Sequence, residues 1–280
     1  MGRRVFCASF MLGSLERAPA LMSYTPKPIS VQLYSLRDES SRDFDSVLER
    51  LAKIGYQGVE PFALFGKSPE AFKQQVNDLG MDVSSSHHPW ANRADINEVI
   101  DVTKALGLTR AAGGFGPDDF NTRDAVNRTV DTVNSLVEKL GQADLELFLH
   151  NHWFEFNPVN GELPYHTLQR ECPGVLFEVD TYWAANFGAC DPVEEVRRIS
   201  QRAPLLHIKD GPLEVGKAHV AVGSGVVDIA GIANAADPEV LDWLIVELDS
   251  CDTDMFEAVE ESYRFLVSEG LATGSVSLAK

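Results

Sequence analysis

VLFEVDTYWAANFGACDPVEEVRRISQRAPLLHIKD, residues 175–210, reads as strand, helix, strand. Residues 175–180 form a short apolar run that ends in Glu178-Val179-Asp180. Asp191-Pro192 then places a capping side chain before a proline at the first helical position, and the charged, amphipathic run 192–200 follows. Residues 205–209 return to an apolar strand, Leu205-Leu206-His207-Ile208-Lys209. Side chains alternate across a strand, so Glu178 and Asp180 share one face, and so do His207 and Lys209.

The same alternation runs outward from Ile29 to the end of the chain. The other predicted strands lie at 29–36, 58–61, 81–86, 109–113, 145–151 and 243–248. The other predicted helices lie at 43–54, 69–79, 96–106, 122–140, 163–171, 228–235 and 254–269, several of them ending at glycine, as at Gly55, Gly80 and Gly107. Eight strands alternating with eight helices predict an α/β fold, a (β/α)8 TIM barrel in a single domain over 28–280. The competing doubly wound sheet lacks its G-x-G-x-x-G after the first strand. No Pro/Gly/Ser-rich linker divides the chain. Residues 1–27 are read as an N-terminal extension outside the core. Arg3 and Arg4 precede the apolar stretch 5–12, which is short for a secretory signal, and Met22 opens the segment that leads into the first strand.

Composition narrows the function. The formal net charge of −18 opposes binding to a phosphate backbone, so no nucleic-acid partner is expected. No apolar run reaches the roughly 18–20 residues of a membrane span. Cys7, Cys172, Cys190 and Cys251 are widely spaced, without a C-x-x-C, which points to a reducing, cytoplasmic setting. A homo-oligomer is left open.

In a (β/α)8 barrel the chemistry sits at the C-terminal ends of the strands. The second strand ends at Glu60, the third runs into His87 and His88, the fifth ends in His150-Asn151-His152 with Glu155 just beyond, and the eighth ends in Glu247-Leu248-Asp249. Five of the seven histidines fall at strand ends, while His166 and His219 lie in the following connections. Ionisable pairs at the mouths of four successive strands need compensation, because burying an unpaired charge costs several kcal/mol. A divalent cation held by imidazole and carboxylate supplies it: Mn²⁺, Co²⁺, Fe²⁺, Zn²⁺ or Mg²⁺, rather than Ca²⁺. Glu60, His88, Lys209 and Glu247 are candidate acid, base or oxyanion contacts. Tyr34, Phe62, Trp90, Trp153, Tyr182 and Trp183 near strand ends suit a sugar-stacking wall or plain barrel packing, and His219 can reach in from its loop. The Gly223-Ser224-Gly225 turn can bind a phosphate through its amides or serve as a plain connection.

The pieces VQLYSLR at 31–37, GYQGVEPF at 55–62, HNHWFEF at 150–156, EVDTYW at 178–183, HIKDG at 207–211, VGSGVVD at 222–228 and VEL at 246–248, in that order and spacing, resemble the xylose isomerase-like barrel superfamily. Within it they are most similar to the sugar phosphate isomerase/epimerase group, with its inosose isomerases and dehydratases. That resemblance implies a metal held by Glu on strand five, Asp on six, His on seven and Glu on eight. Asp180, His207 and Glu247 match the last three. The fifth strand departs from the pattern and offers His150, His152 or Glu155 instead. The resemblance further implies a divalent-metal-dependent isomerase or epimerase of a small sugar or cyclitol, of keto-sugar or inosose type, working through an enediolate. The alternative is a metal-dependent lyase such as an inosose or keto-sugar dehydratase. A non-catalytic sugar-binding protein and an endonuclease IV-like phosphodiesterase stand further off.

Overall fold

The computed structural model describes residues 24–275, so residues 1–23 of the predicted extension 1–27 lie outside the described residues, and its last residue, Lys27, opens the first strand. Eight parallel strands form one curled sheet: β1 (Lys27–Gln32), β2 (Gly58–Glu60), β3 (Asp82–Val83), β4 (Arg110–Gly113), β5 (Glu146–His150), β6 (Leu176–Asp180), β7 (Leu205–Ile208) and β8 (Trp243–Val246). Their order is β3-β2-β1-β8-β7-β6-β5-β4, so the first strand closes against the last. A two-residue strand, β9 (Ala272–Thr273), pairs with the start of β1. The helices are α1 (Arg37–Ile54), α2 (Pro69–Asp78), α3 (Ile96–Ala105), α4 (Arg123–Gly141), α5 (Pro164–Glu171), α6 (Thr181–Ala184), α7 (Pro192–Ile199), α8 (Ile229–Ala235) and α9 (Met255–Ser268). This is the (β/α)8 barrel expected from the alternation.

The first strand stops at Gln32 rather than at residue 36, the short α6 was not predicted, and two further differences have local reasons. The third strand keeps its ladder only over Asp82–Val83, and β3 and β4 do not pair. That seam is bridged further along, where Ala91 N donates to Ala112 O at 2.8 Å and the Asn92 side chain bonds both the N–H and the carbonyl of Gly114. The first helix begins at Arg37 rather than at residue 43, but its backbone breaks at Asp43, with φ −154° and ψ 84°. The Asp43 carboxylate accepts Ser46 N at 3.0 Å, which gives the second segment its own cap.

Strand parity sorts the core into two layers. Val31, Leu206 and Val246 point outward to pack with helix residues such as Leu48, Phe72, Val133 and Leu266. Ala112, Phe148, Leu205 and Ile245 form a separate apolar cluster, with Leu176 and Trp243 packed against it. Those six share strand faces with the residues two positions on, among them His150, Glu178, His207 and Glu247. The barrel interior is therefore apolar below and ionisable above.

Candidate metal centre

Register sets the level of each site residue. Gln32 pairs with Glu60, His150 with Glu178 and Asp180 with His207 across adjacent strands, which brings the two side chains of each pair beside one another inside the barrel. Glu60, Glu178, Asp180 and His207 are fully buried. Charges so placed must be paired and hydrogen-bonded.

The deeper part is a carboxylate–imidazole net. Glu60 Oε1 accepts Gln32 Nε2 at 2.6 Å and lies 2.7 Å from His207 Nε2, while Ser85 donates to its second oxygen. Glu178 Oε2 lies 2.5 Å from His87 Nε2 and 3.1 Å from His150 Nδ1. Burial opposes charge on both His87 and His207. Glu60 and Glu178 outweigh it at His87, and with Glu247 they hold His207 well above the usual histidine range. Burial pushes the Glu60 carboxyl up, reinforced by Glu178, whereas the two imidazolium rings overcome burial and hold Glu178 well below the carboxylate range. Burial keeps His150 neutral, the form that ligates metals.

Nearer the mouth, His207 Nδ1 lies 2.7 Å from Glu247 Oε2. Lys209 Nζ lies 2.8 Å from Asp180 Oδ2, 2.8 Å from Glu247 Oε2 and 3.0 Å from Asp249 Oδ2. Burial would strip the lysine of its proton, but Asp180, Asp249 and Glu247 together keep its pKa well above the usual value. Burial lifts Asp180 to about 6, against Lys209 and His207. The other Asp180 oxygen, Oδ1, accepts Trp183 N at 2.9 Å and caps the short helix α6, and Asn151 bonds both the N–H and the carbonyl of Asp180.

Two overlapping sets bring one donor atom per residue within 4.8 Å of one another: His150, Asp180, His207 and Glu247, and below them His87, His150, Glu178 and His207. Mixed imidazole and carboxylate donors of this kind suit a divalent transition metal. A further observation fits a cation here: five carboxylates (Glu60, Glu178, Asp180, Glu247 and Asp249) converge on one lysine and three imidazoles.

A cavity of about 460 Å³ opens above the upper set. Of the residues expected at the site, Tyr34, Trp90, His150, His152, Trp183 and Glu247 line it, and Glu60, Asp180, His207 and Lys209 lie beneath it. Three stand aside. His88 is half-buried and does not line the cavity; its neighbour His87 does, against Trp90 at 4.4 Å between ring centroids. Trp153 is 36% exposed and packs on Phe154 and Phe187. His219 is buried against Tyr182 and Trp183, where its Nδ1 accepts Asp249 N at 3.0 Å. Glu155 turns inward to accept His152 N at 3.0 Å, with its carboxyl pushed well up by burial. His152 lines the cavity with its ring 4.9 Å from that of His150, and its buried Nδ1 has no hydrogen-bond partner among the described residues. Phe62, expected in the aromatic wall, lines the cavity, while His87, Glu178 and Asp249 had been placed at strand ends by the sequence without an assigned role. Glu178 had been visible on the correct strand face; nothing local distinguishes His87 from His88.

The profile of the xylose isomerase-like TIM barrel family matches residues 48–268. No curated protein matches. Among solved structures, a sugar phosphate isomerase/epimerase from Parabacteroides distasonis is 26% identical, covering 91% of this chain and 97% of that one at a TM-score of 0.72. An L-ribulose 3-epimerase is 21% identical over 88% of this chain and 94% of that one, at 0.65. A probable 3-DHS dehydratase from Bacillus anthracis is 12% identical over 85% and 98%, also at 0.65, a likeness of fold. No helix among the described residues is long and apolar enough to cross a membrane. With most of its length matched by the family profile and with this barrel geometry, the chain belongs to the xylose isomerase-like TIM barrel family.

Proposed function

We propose that this chain is a divalent-metal-dependent isomerase or epimerase of a small sugar or cyclitol, of keto-sugar or inosose type. The observation that carries the reading is the upper donor set at the floor of an aromatic-walled cavity, with Lys209 and His152 beside it. His150, Asp180, His207 and Glu247 would hold the cation. When bound, it would withdraw electron density from a carbonyl and its neighbouring hydroxyl and so acidify the adjacent C–H.

The remaining work falls to the chain. Glu60 fixes the His207 ring through Nε2 and leaves Nδ1 toward the donor set, the usual arrangement of a ligating histidine backed by a carboxylate. The Lys209 ammonium lies against Asp180 and Glu247 and is positioned to stabilise developing negative charge on a substrate oxygen. His152 lines the cavity and is the group proposed to move a proton at the substrate carbon. Tyr34, Trp90 and Trp183 offer ring faces to the apolar side of a sugar and exclude water.

The test is twofold. Protein stripped of metal and refilled with Mn²⁺, Co²⁺, Fe²⁺, Zn²⁺ or Mg²⁺ should bind one of them stoichiometrically, and Asp180→Asn or His207→Asn should abolish that binding. The loaded protein should then incorporate solvent deuterium into a ketose or inosose at the carbon next to the carbonyl. Absence of stoichiometric metal binding would overturn the reading. Formation of an absorbing enone instead of an isomer would assign the lyase reaction.

A further inference from the structure

The loop after β7 carries the feature of this barrel that most directly concerns substrate charge. Phosphate sites in (β/α)8 barrels are frequently built from main-chain amides of the loops after strands seven and eight, and here those amides converge on a side chain of the protein itself. Asp210 follows Lys209 directly and is buried. Its Oδ1 accepts Gly211 N at 2.8 Å and Val227 N at 3.1 Å. Its Oδ2 accepts Gly223 N and Gly225 N, both at 2.9 Å. Four N–H groups thus surround one carboxylate, and no lysine, arginine or histidine pairs with it among the described residues. An amide nest of this kind is an anion site, and the chain fills it with its own anion.

The neighbouring helix starts are also taken. Asp228 Oδ1 accepts Gly231 N at 2.8 Å at the head of α8, and Asp254 Oδ1 accepts Glu257 N at 2.9 Å at the head of α9. The cavity adds two carboxylates of its own, Glu247 and Asp249. The nearest cations are engaged or set back. Lys209 is shared among three carboxylates. Arg37 donates to the carbonyls of Tyr34 and Asp249. Arg93 stands 5.7 Å over the Trp90 ring and does not line the cavity.

We propose that Asp210 closes the amide nest after β7 to phosphate, and that the cavity takes an uncharged, unphosphorylated polyhydroxy carbonyl compound. The second half rests on the isomerase reading above; the first half does not. Apart from the cation that the donor set would hold, a phosphate ester would meet Glu247 and Asp249 with no open amide nest and no unengaged lysine or arginine lining the cavity to offset them, which is discrimination by an unfavourable element rather than by a better contact.

Two measurements test this. Inorganic phosphate is titrated into the full-length, metal-stripped protein and followed by calorimetry. No binding is expected up to about 10 mM, a concentration that covers even weak specific sites. Saturable binding below that level overturns the proposal: perturbed amides at Gly211, Gly223, Gly225 or Val227 would show that the nest is open, and loss of binding in Arg93→Gln would show that phosphate is held beside Trp90 at the cavity. The metal-loaded protein is then given a panel of ketoses and inososes beside their phosphate esters in D₂O. Exchange favouring the free compounds by about tenfold or more in kcat/KM is expected. Equal exchange or a preference for an ester overturns the substrate assignment. Exchange with neither removes the substrate assignment together with the isomerase reading, and the phosphate titration still decides the role of Asp210.

Discussion

Gly225 N donates to Asp210 Oδ2 at 2.9 Å, and a Cβ on Gly225 would stand 2.0 Å from Asp210 Oδ1 and 2.4 Å from Gly211 N. The glycine is there because the backbone must approach a buried carboxylate closely. Neither atom in the way is the free end of a flexible chain. Gly225→Ala should therefore lower stability by about 1–3 kcal/mol, as overpacking does. Chemical denaturation of the two proteins measures it, and a change within about 0.5 kcal/mol would show that the loop is not pinned in this way.

Glu60 reaches His207 from 147 residues away, at 2.7 Å. In the metal-centre reading this carboxylate orients a ligand without being one. Glu60→Gln keeps the shape and loses the charge. Divalent-metal affinity should fall by about 10–100-fold while the fold is retained. Competition with a fluorescent chelator gives the ratio, and unchanged affinity would remove Glu60 from the support of His207.

Lys209 is the cation that Asp180, Glu247 and Asp249 share. Lys209→Met leaves three carboxylates facing one another. Breaking a buried pair from one side costs about 3–5 kcal/mol. A divalent cation should recover part of this loss, so saturating Mn²⁺ should raise the melting temperature of the variant by more than that of the unmodified protein. Equal shifts for the two proteins would mean that Lys209 and the metal do not draw on the same oxygens.

Cys172 is buried among apolar side chains, and burial pushes its thiol up to about 11. Tyr24, donating to Leu271 O, is likewise pushed up by burial, to about 12. A raised pKa for an acid that is neutral when protonated means that the folded state holds its proton more tightly than the unfolded state. Stability from these two groups is full below the ordinary thiol value of about 8.5 and declines as pH rises through about 11. Thermal unfolding should show a falling melting temperature over pH 9–11. In the native protein at pH 8, an alkylating reagent followed by mass spectrometry should leave Cys172 unmodified. Rapid labelling of Cys172 would contradict its burial.

The segment 175–210 and its repeats determined the alternation of strand and helix, and with it the barrel. Period-2 and period-3.6 patterns are local properties of the chain, so they survive in the sequence without any knowledge of the rest. Strand parity likewise placed Glu178 with Asp180 and His207 with Lys209 on common faces, and located the ionisable ends of strands five to eight. Contacts between strands were decided by the tertiary structure alone. That Glu60 holds His207, that His87 rather than His88 lines the cavity and that Glu155 accepts His152 N instead of joining the donor set all depend on register and on the chain path beyond the last ladder pair. HIKDG and VGSGVVD could be read as separate motifs, with the glycine turn free to hold a phosphate. Only the folded chain brings Asp210 into the centre of that turn, where four amides from residues 211–227 converge on its one buried carboxylate.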